Sequence, residues 1–241
     1  MRNCYMIFKP LKNIVFVCCF LCSGWLLGQQ DTIVVVEADS KYFEDQFYFG
    51  VNYNVLIGAP DGISQSSFSS GIMGGFIKDI PINKRRNVGF GLGVGLSINA
   101  IYSDLLATKN ANGTISYQEV PADVDYNRNK LSMHFVEFPL EFRWRSSRAE
   151  DYRFWRIYSG VRLQYLFSGR SKFVTDTERI SFSNSDIRDF QYGIYVSFGY
   201  NTWNFYAQYN VTNVFEDDRY LMDGEPLEVN IIKAGLIFYI F

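Results

Sequence analysis

Cysteine stops early in this chain. Its four cysteines are Cys4, Cys18, Cys19 and Cys22, all inside a leading stretch that reads as removable. The chain beyond Cys22 can form no disulfide and no thiolate zinc site. Cys22 is preceded by Cys19-Phe20-Leu21, which is not the leucine-then-small-residue pattern of a lipid-modified cysteine. Charge of one sign is missing as well. Lys and Arg number 23 against 25 Asp and Glu, for a net charge of -2, so nothing points to a nucleic-acid partner. Long apolar runs are missing too: past the leading stretch none approaches the ~20 residues that a spanning helix needs. The acidic group Glu216-Asp217-Asp218 with Asp223 lacks the spacing of an EF-hand. No cofactor and no metal are expected.

The leading stretch reads as a targeting segment. Arg2, Lys9 and Lys12 form a basic region, and Ile14 to Leu27 form an apolar one of signal-peptide length. Gly28, Gln29 and Gln30 then form a cleavage zone. The expected organisation is a signal peptide over 1–28, a short periplasmic lead-in over 29–45 and one domain over 46–241.

Aromatic residues are abundant, at 18% of the chain, with 22 Phe and 17 Tyr. Such residues favour strands and the girdles where a barrel meets a membrane surface. They recur at period two. Phe47, Phe49, Val51, Tyr53, Val55 and Ile57 share one face of a strand, and Tyr48, Gly50, Asn52, Asn54 and Leu56 share the other. Eight such segments are expected, at 46–58, 69–80, 87–102, 131–145, 154–168, 189–200, 203–213 and 228–241. Each covers the ~9–11 residues that a tilted strand needs to cross a bilayer. Their connections alternate in length. Links at 79–86, 146–153 and 201–202 are short, whereas 59–68, 103–130, 169–188 and 214–227 are long. Short periplasmic turns and longer extracellular loops are the habit of outer-membrane barrels. The fold class expected is all-β: an eight-stranded antiparallel transmembrane barrel in the outer membrane.

The run from Gly89 to Ser97 invites comparison with a phosphate-binding loop. Its glycines, Gly89, Gly91, Gly93 and Gly95, continue at strict period two and lead into no helix, so the loop reading fails. On a barrel wall the same row is an inward-facing strip without side chains. It leaves room for long residues from opposite walls of a narrow lumen. The fourth and fifth segments supply candidates at inward positions: Glu137, Glu141, Arg143 and Arg145 on one, Arg156, Tyr158, Arg162 and Gln164 on the next. Folding the turn at 146–153 symmetrically sets Glu137 beside Arg162 and Glu141 beside Tyr158. Charges in a narrow lumen must be paired, so Glu137, Glu141, Arg143, Arg156 and Arg162 are expected to form a structural network that plugs it. Ser132 and His134, the single histidine, share the lipid-facing side, in reversed order relative to outer-membrane lipid A deacylases. An amphipathic girdle role is the simpler reading of His134. No catalytic residue is expected. Asn112-Gly113-Thr114 and Asn210-Val211-Thr212 match the glycosylation triplet, which arises by chance in a chain this long.

The final stretch, Lys233 to Phe241, is apolar and aromatic. Lys233, Gly235, Phe238 and Ile240, with Phe241 last, resemble the C-terminal insertion signal of outer-membrane barrels, which the barrel assembly machinery reads. Phe238 and Ile240 should then face lipid, and Lys233 and Gly235 the lumen. Three further stretches are distinctive: the run from His134 to Arg145, the strand Phe154-Trp155-Arg156-Ile157-Tyr158-Ser159-Gly160-Val161, and Tyr200 to Tyr206. With the terminal strand they resemble the PorT-like outer-membrane barrels of Bacteroidota, over most of the barrel but little of 103–130. The resemblance implies a non-enzymatic outer-membrane protein tied to the type IX secretion system, and in some species to gliding motility. It implies other secretion-system proteins and outer-membrane lipid as partners. It carries no catalytic residues.

Overall fold

Alternation at period two only makes a stable wall if every strand finds a neighbour on both sides. The computed structural model describes residues 45–146 and 155–240, and there the wall closes. The strands are β1 (Asp45–Ile57), β2 (Ser70–Pro81), β3 (Val88–Tyr102), β4 (Leu105–Lys109), β5 (Ile115–Glu119), β6 (Arg128–Arg145), β7 (Trp155–Val174), β8 (Arg179–Ser183), β9 (Phe190–Tyr200), β10 (Trp203–Asn210) and β11 (Asn230–Ile240). Eight of them form the antiparallel barrel β1-β2-β3-β6-β7-β9-β10-β11, each paired with its successor and β11 paired back to β1. Closure leaves no open edge, which is what a sheet in hydrocarbon requires. The expected signal peptide 1–28, the lead-in 29–45 apart from Asp45, the tip of the link at 146–153, and Phe241 lie outside the described residues.

The closing pair sets Phe47 opposite Ile240 and Asn54 opposite Lys233. Residues directly opposite share a face, so an apolar outside and a polar inside run on across the seam. The turn between β9 and β10 is two residues long, and Asn201 takes φ 56 there. Asparagine tolerates that left-handed conformation better than most side chains.

Three expectations are corrected. First, two of the long loops are not structureless. The 103–130 segment contains the β4–β5 hairpin, and the 169–188 segment contains β8, which pairs with the upper end of β7. β6 and β7 therefore run to 18 and 20 residues, well past the ~9–11 needed to span. Second, the β6–β7 register is one residue pair away from the symmetric fold: Glu137 lies opposite Gln164, Glu141 opposite Gly160 and Arg143 opposite Tyr158. Third, β10 ends at Asn210 rather than 213.

A proline sits inside β6. Pro139 faces the lumen, and the β3–β6 ladder skips the step between Leu92↔Leu140 and Gly95↔Glu137. Proline has no N–H to give the ladder. A Cβ on Gly93 would come within 3.0 Å of the Pro139 ring, so the glycine makes room for it. Higher up, the β6–β7 register shifts between His134 and Phe135, a bulge that bends the pair where it leaves the apolar belt.

Candidate functional site

The outer wall sets the frame. Phe47, Phe49, Phe90, Leu92, Leu140, Phe142, Ile194 and Val196 all point away from the lumen and are exposed. Exposed apolar rows on every strand need an apolar surrounding. At the short-turn end they finish in aromatics. Trp155 stacks on Phe198 at 5.1 Å and meets Tyr200 at 5.2 Å, and Trp203 meets Phe238 edge-on at 5.4 Å. This is the girdle position for amphipathic rings.

Inside that belt the lumen is filled by ion pairs and tyrosines. Glu141 receives the Arg143 Nε at 2.7 Å through one oxygen and the Tyr195 hydroxyl at 2.5 Å through the other. The Arg143 guanidinium lies over the Tyr158 ring at 4.6 Å and reaches Gln46 Oε1 at 3.2 Å. Arg162 pairs with Glu137 at 3.3 Å and is wrapped by the rings of Tyr195, Tyr206 and Tyr48, at 4.6, 5.2 and 5.9 Å. Glu137 also accepts from Gln164 Nε2 at 2.6 Å. Gln208 links Gln164 to Asn210. Toward the short turns, Asp79 bridges Arg145 and stands 3.8 Å from Arg143. Arg143, Arg162, Glu137 and Glu141 are all at most 2% exposed. In so dry a place each charge is tolerable only because its partner and several rings surround it.

At the long-loop end the lumen changes character. Ile101, Met133, Phe135 and Ile231 from the strands meet Ile63, Tyr117, Ile187, Phe215, Leu221 and Leu227 from the long connections, in one buried apolar cluster. All four long connections contribute. Backbone bridges tie them: Tyr117 to Leu221, and Ile187 to Phe215. The Tyr117 hydroxyl is shared between Asn184 Oδ1 at 3.0 Å and Asp186 Oδ2 at 3.2 Å. Burial pushes that phenol well above its ordinary pKa, so it stays protonated and serves as a donor. Arg219 holds Asp186 at 3.1 Å, and Arg188 holds Asp217 at 2.5 Å. The connections thus form a folded cap.

All five charged residues that the sequence singled out, Glu137, Glu141, Arg143, Arg156 and Arg162, line the lumen, with Arg156 opposite Arg145 near the short turns. Glu141 bonds Tyr195, across β7 on β9, rather than Tyr158. Gly89, Gly91, Gly93 and Gly95 also face inward, but the groups over them are not from opposite walls. A Cβ on Gly91 would meet Arg143 Nε at 2.7 Å, one on Gly93 would meet Ile77 Cγ1 at 2.6 Å, and one on Gly95 would collide with the Tyr48 hydroxyl. Those groups come from β6 and β2, the strands that flank the row, and from β1, one strand beyond β2; Arg143 is one of the residues that the sequence offered for that space. Lys233 and Gly235 face the lumen; Phe238 and Ile240 face out. Ser132 and His134 face out above the belt, opposite Arg170 and Ser168. The His134 ring lies 5.9 Å from Phe167, and among the described residues it forms no ion pair.

Sequence reasoning passed over Asp79, the lumen tyrosines other than Tyr158, and the cap. Asp79, Tyr48, Tyr195, Tyr206 and Tyr239 sit at inward positions of the same alternation, so period two was a sufficient signal for them. The cap carries a fainter one: Val214-Phe215 and Leu227-x-Val229 are apolar for a solvated loop.

One protein family, described as the outer membrane protein beta-barrel domain, matches residues 28–216. Among solved structures the chain is similar to Ail, the attachment invasion locus protein of Yersinia pestis, solved in complex with the heparin analogue sucrose octasulfate. That similarity has 15% identity over 80% of this chain and 97% of the other, with a TM-score of 0.34. It is also similar to a mutant of Rh. blastica porin, at 8% identity over 83% of this chain and all of the other, with a TM-score of 0.21. No curated protein matches.

Proposed function

Because the chain belongs to the outer membrane protein beta-barrel domain family, we propose that it serves in the outer membrane as a filled, non-conducting and non-enzymatic barrel, an accessory to protein export across that membrane. One observation carries the first half of this reading. The lumen is packed with buried ion pairs at membrane level and sealed by an apolar cap above it. A porin keeps an aqueous channel; here the same space is occupied by Arg143, Arg162 and the tyrosines around them. The barrel then acts through its surfaces: the cap, the short-turn rim or the lipid-facing wall.

The export role is supported by the runs His134–Arg145 and Phe154–Val161 and by the terminal strand, which resemble the PorT-like barrels of the type IX secretion system, some of which also serve gliding motility. Its partners in this reading are other secretion-system proteins and outer-membrane lipid. Lys233, Gly235, Phe238, Ile240 and Phe241 serve assembly, as the signal read by the barrel assembly machinery. Deleting Phe241 should lower the amount of protein in the outer membrane.

Deleting the gene and profiling surface and secreted proteins tests the reading. Loss of exported proteins is the expected result. Normal export, together with a large conductance step in planar bilayers, would replace the proposal with a small porin. Altered lipid A in the deletion strain, restored by wild type but not by Ser132→Ala, would replace it with a lipid-modifying enzyme.

A further inference from the structure

The outward face of β6, β7 and β8 carries a row of cations just above the apolar belt. On β6 it has Arg128 and Lys130, on β7 Arg170 and Lys172, on β8 Arg179. Lys130 lies directly opposite Lys172, and Arg179 directly opposite Val174, next but one to Lys172. Directly opposed residues share a face, with Cβ atoms about 4.5–5.5 Å apart. Like charges in that relation are destabilising, so the arrangement is costly unless an anion lies over it. Among the described residues none of the five forms a salt bridge. Of the two acids in the β7–β8 turn, Asp176 accepts instead from Asn127 Nδ2 at 2.7 Å, and Glu178 forms no ion pair among the described residues. The Lys172 ammonium is held below the ordinary lysine value, by desolvation and then by Arg179, Arg128 and Lys130. The charges that lower it are the three neighbouring cations of the row.

Height and direction narrow the ligand. The apolar row of β7 ends at Phe167, which is exposed. A strand tilted by about 45° climbs roughly 2.4 Å per residue. Arg170 therefore lies about 7 Å above that row and Lys172 about 12 Å above it, at the level of the headgroups and their outer margin. The long stems can bend down to meet them. The row faces sideways from the barrel, onto the membrane, and not up from the cap. Guanidinium groups suit phosphate because they bind it through two parallel hydrogen bonds.

We propose that Arg128, Lys130, Arg170, Lys172 and Arg179 bind the phosphates of an outer-leaflet phosphoglycolipid of the lipid A class, whose acyl chains lie against Phe167, Tyr165 and Phe138 below. The site would hold a lipid at one side of the barrel, where β6 and β7 rise highest. It rests on the outer-membrane placement and not on the export role. Retention of lipid and loss of export on deletion are separate readouts.

The test uses the full chain folded in detergent micelles. Its probes are purified bis-phosphorylated lipid A, the same lipid after phosphatase treatment, and heparin as a soluble polyanion. Wild type should retain the phosphorylated lipid and release the dephosphorylated one. Each cation near a lipid surface contributes about a five-fold gain in binding, so Lys130→Gln with Lys172→Gln should bind about 30-fold more weakly. Arg170→Gln with Arg179→Gln provides a second, independent pair should the first fail to fold. Lys84→Gln with Arg85→Gln, at the short-turn end, should bind as wild type does. Heat-modifiable gel migration checks that each variant is folded. Unchanged binding in both folded pairs would overturn the proposal, as would equal retention of the dephosphorylated lipid. Heparin binding that displaces the lipid at equal charge would assign the row to a soluble polyanion and overturn it as well.

Discussion

Within the belt, the inside of the barrel holds Arg143, Arg162, Glu137 and Glu141, and the outside is Phe, Leu, Ile and Val. A few residues higher, the inside holds Met133, Phe135, Ile187, Phe215 and Leu221, while the outside of β6 and β7 turns to Lys and Arg. The two regions share strands and differ in what surrounds them. In hydrocarbon the apolar side chains face outward, and the lumen takes polar groups that satisfy one another. In water the ordinary rule returns, and apolar side chains gather inside. The bulge at His134/Phe135 marks the changeover. What holds each region differs accordingly. The lower interior depends on partners staying paired, and the upper one on apolar area staying buried.

Substitutions in the two interiors should therefore fail differently. The largest effect is expected from Arg162→Met. It strands Glu137 in a dry lumen, and breaking a buried pair from one side costs about 3–5 kcal/mol. Urea unfolding in micelles should show the midpoint fall. Adding Glu137→Leu should recover most of the loss, because replacing both partners removes the orphaned charge. A double variant as unstable as the single would mean that the pair is not what stabilises the lower lumen.

Phe215→Ala comes next. Truncating a buried aromatic costs about 3 kcal/mol or more, but here the loss falls on the cap. Proteolysis of the long connections should accelerate while the folded band on a gel persists. Global unfolding would show instead that cap and belt are one cooperative unit. Gly95→Val is expected to cost about 1–3 kcal/mol by overpacking, since its Cβ meets Tyr48 and the Gly74 carbonyl oxygen, the latter at 2.7 Å. A lowered thermal midpoint with unchanged loop proteolysis would confine the damage to the lower interior. The smallest effect should come from Tyr117→Phe. It removes the donor to Asn184 and Asp186 from the cap, at about 1 kcal/mol, and is read as a modest rise in loop proteolysis.

The facing of each barrel strand was legible in the residue order. Period two put Phe47 and Tyr48 on opposite sides, put Gly89, Gly91, Gly93 and Gly95 in one strip, and set Glu137, Glu141 and Arg162 on the lumen wall. The alternation of short and long connections gave the strand count and the closure of β11 on β1. Partnership was less legible. A shift of one residue pair in the β6–β7 turn keeps every residue on its face, so alternation cannot detect it. That shift moved Glu141 away from Tyr158 and toward Tyr195 on β9. The residue order leaves the upper parts of β6 and β7, with β8 and the β4–β5 hairpin, inside the long connections, because the bilayer sets only a minimum strand length.

By itself, then, the order of residues determined the sidedness of the wall, the number of strands in the barrel and the solvent that the belt demands. These come from a local repeat, which the backbone imposes on any extended chain. Only the tertiary structure decided which charges pair across the lumen, which side chains lie over the glycine strip, and that four long connections converge on Tyr117 and Phe215 to seal one end. Those are contacts between residues far apart in the chain. They depend on register, curvature and the width of the closed barrel, none of which a period of two contains.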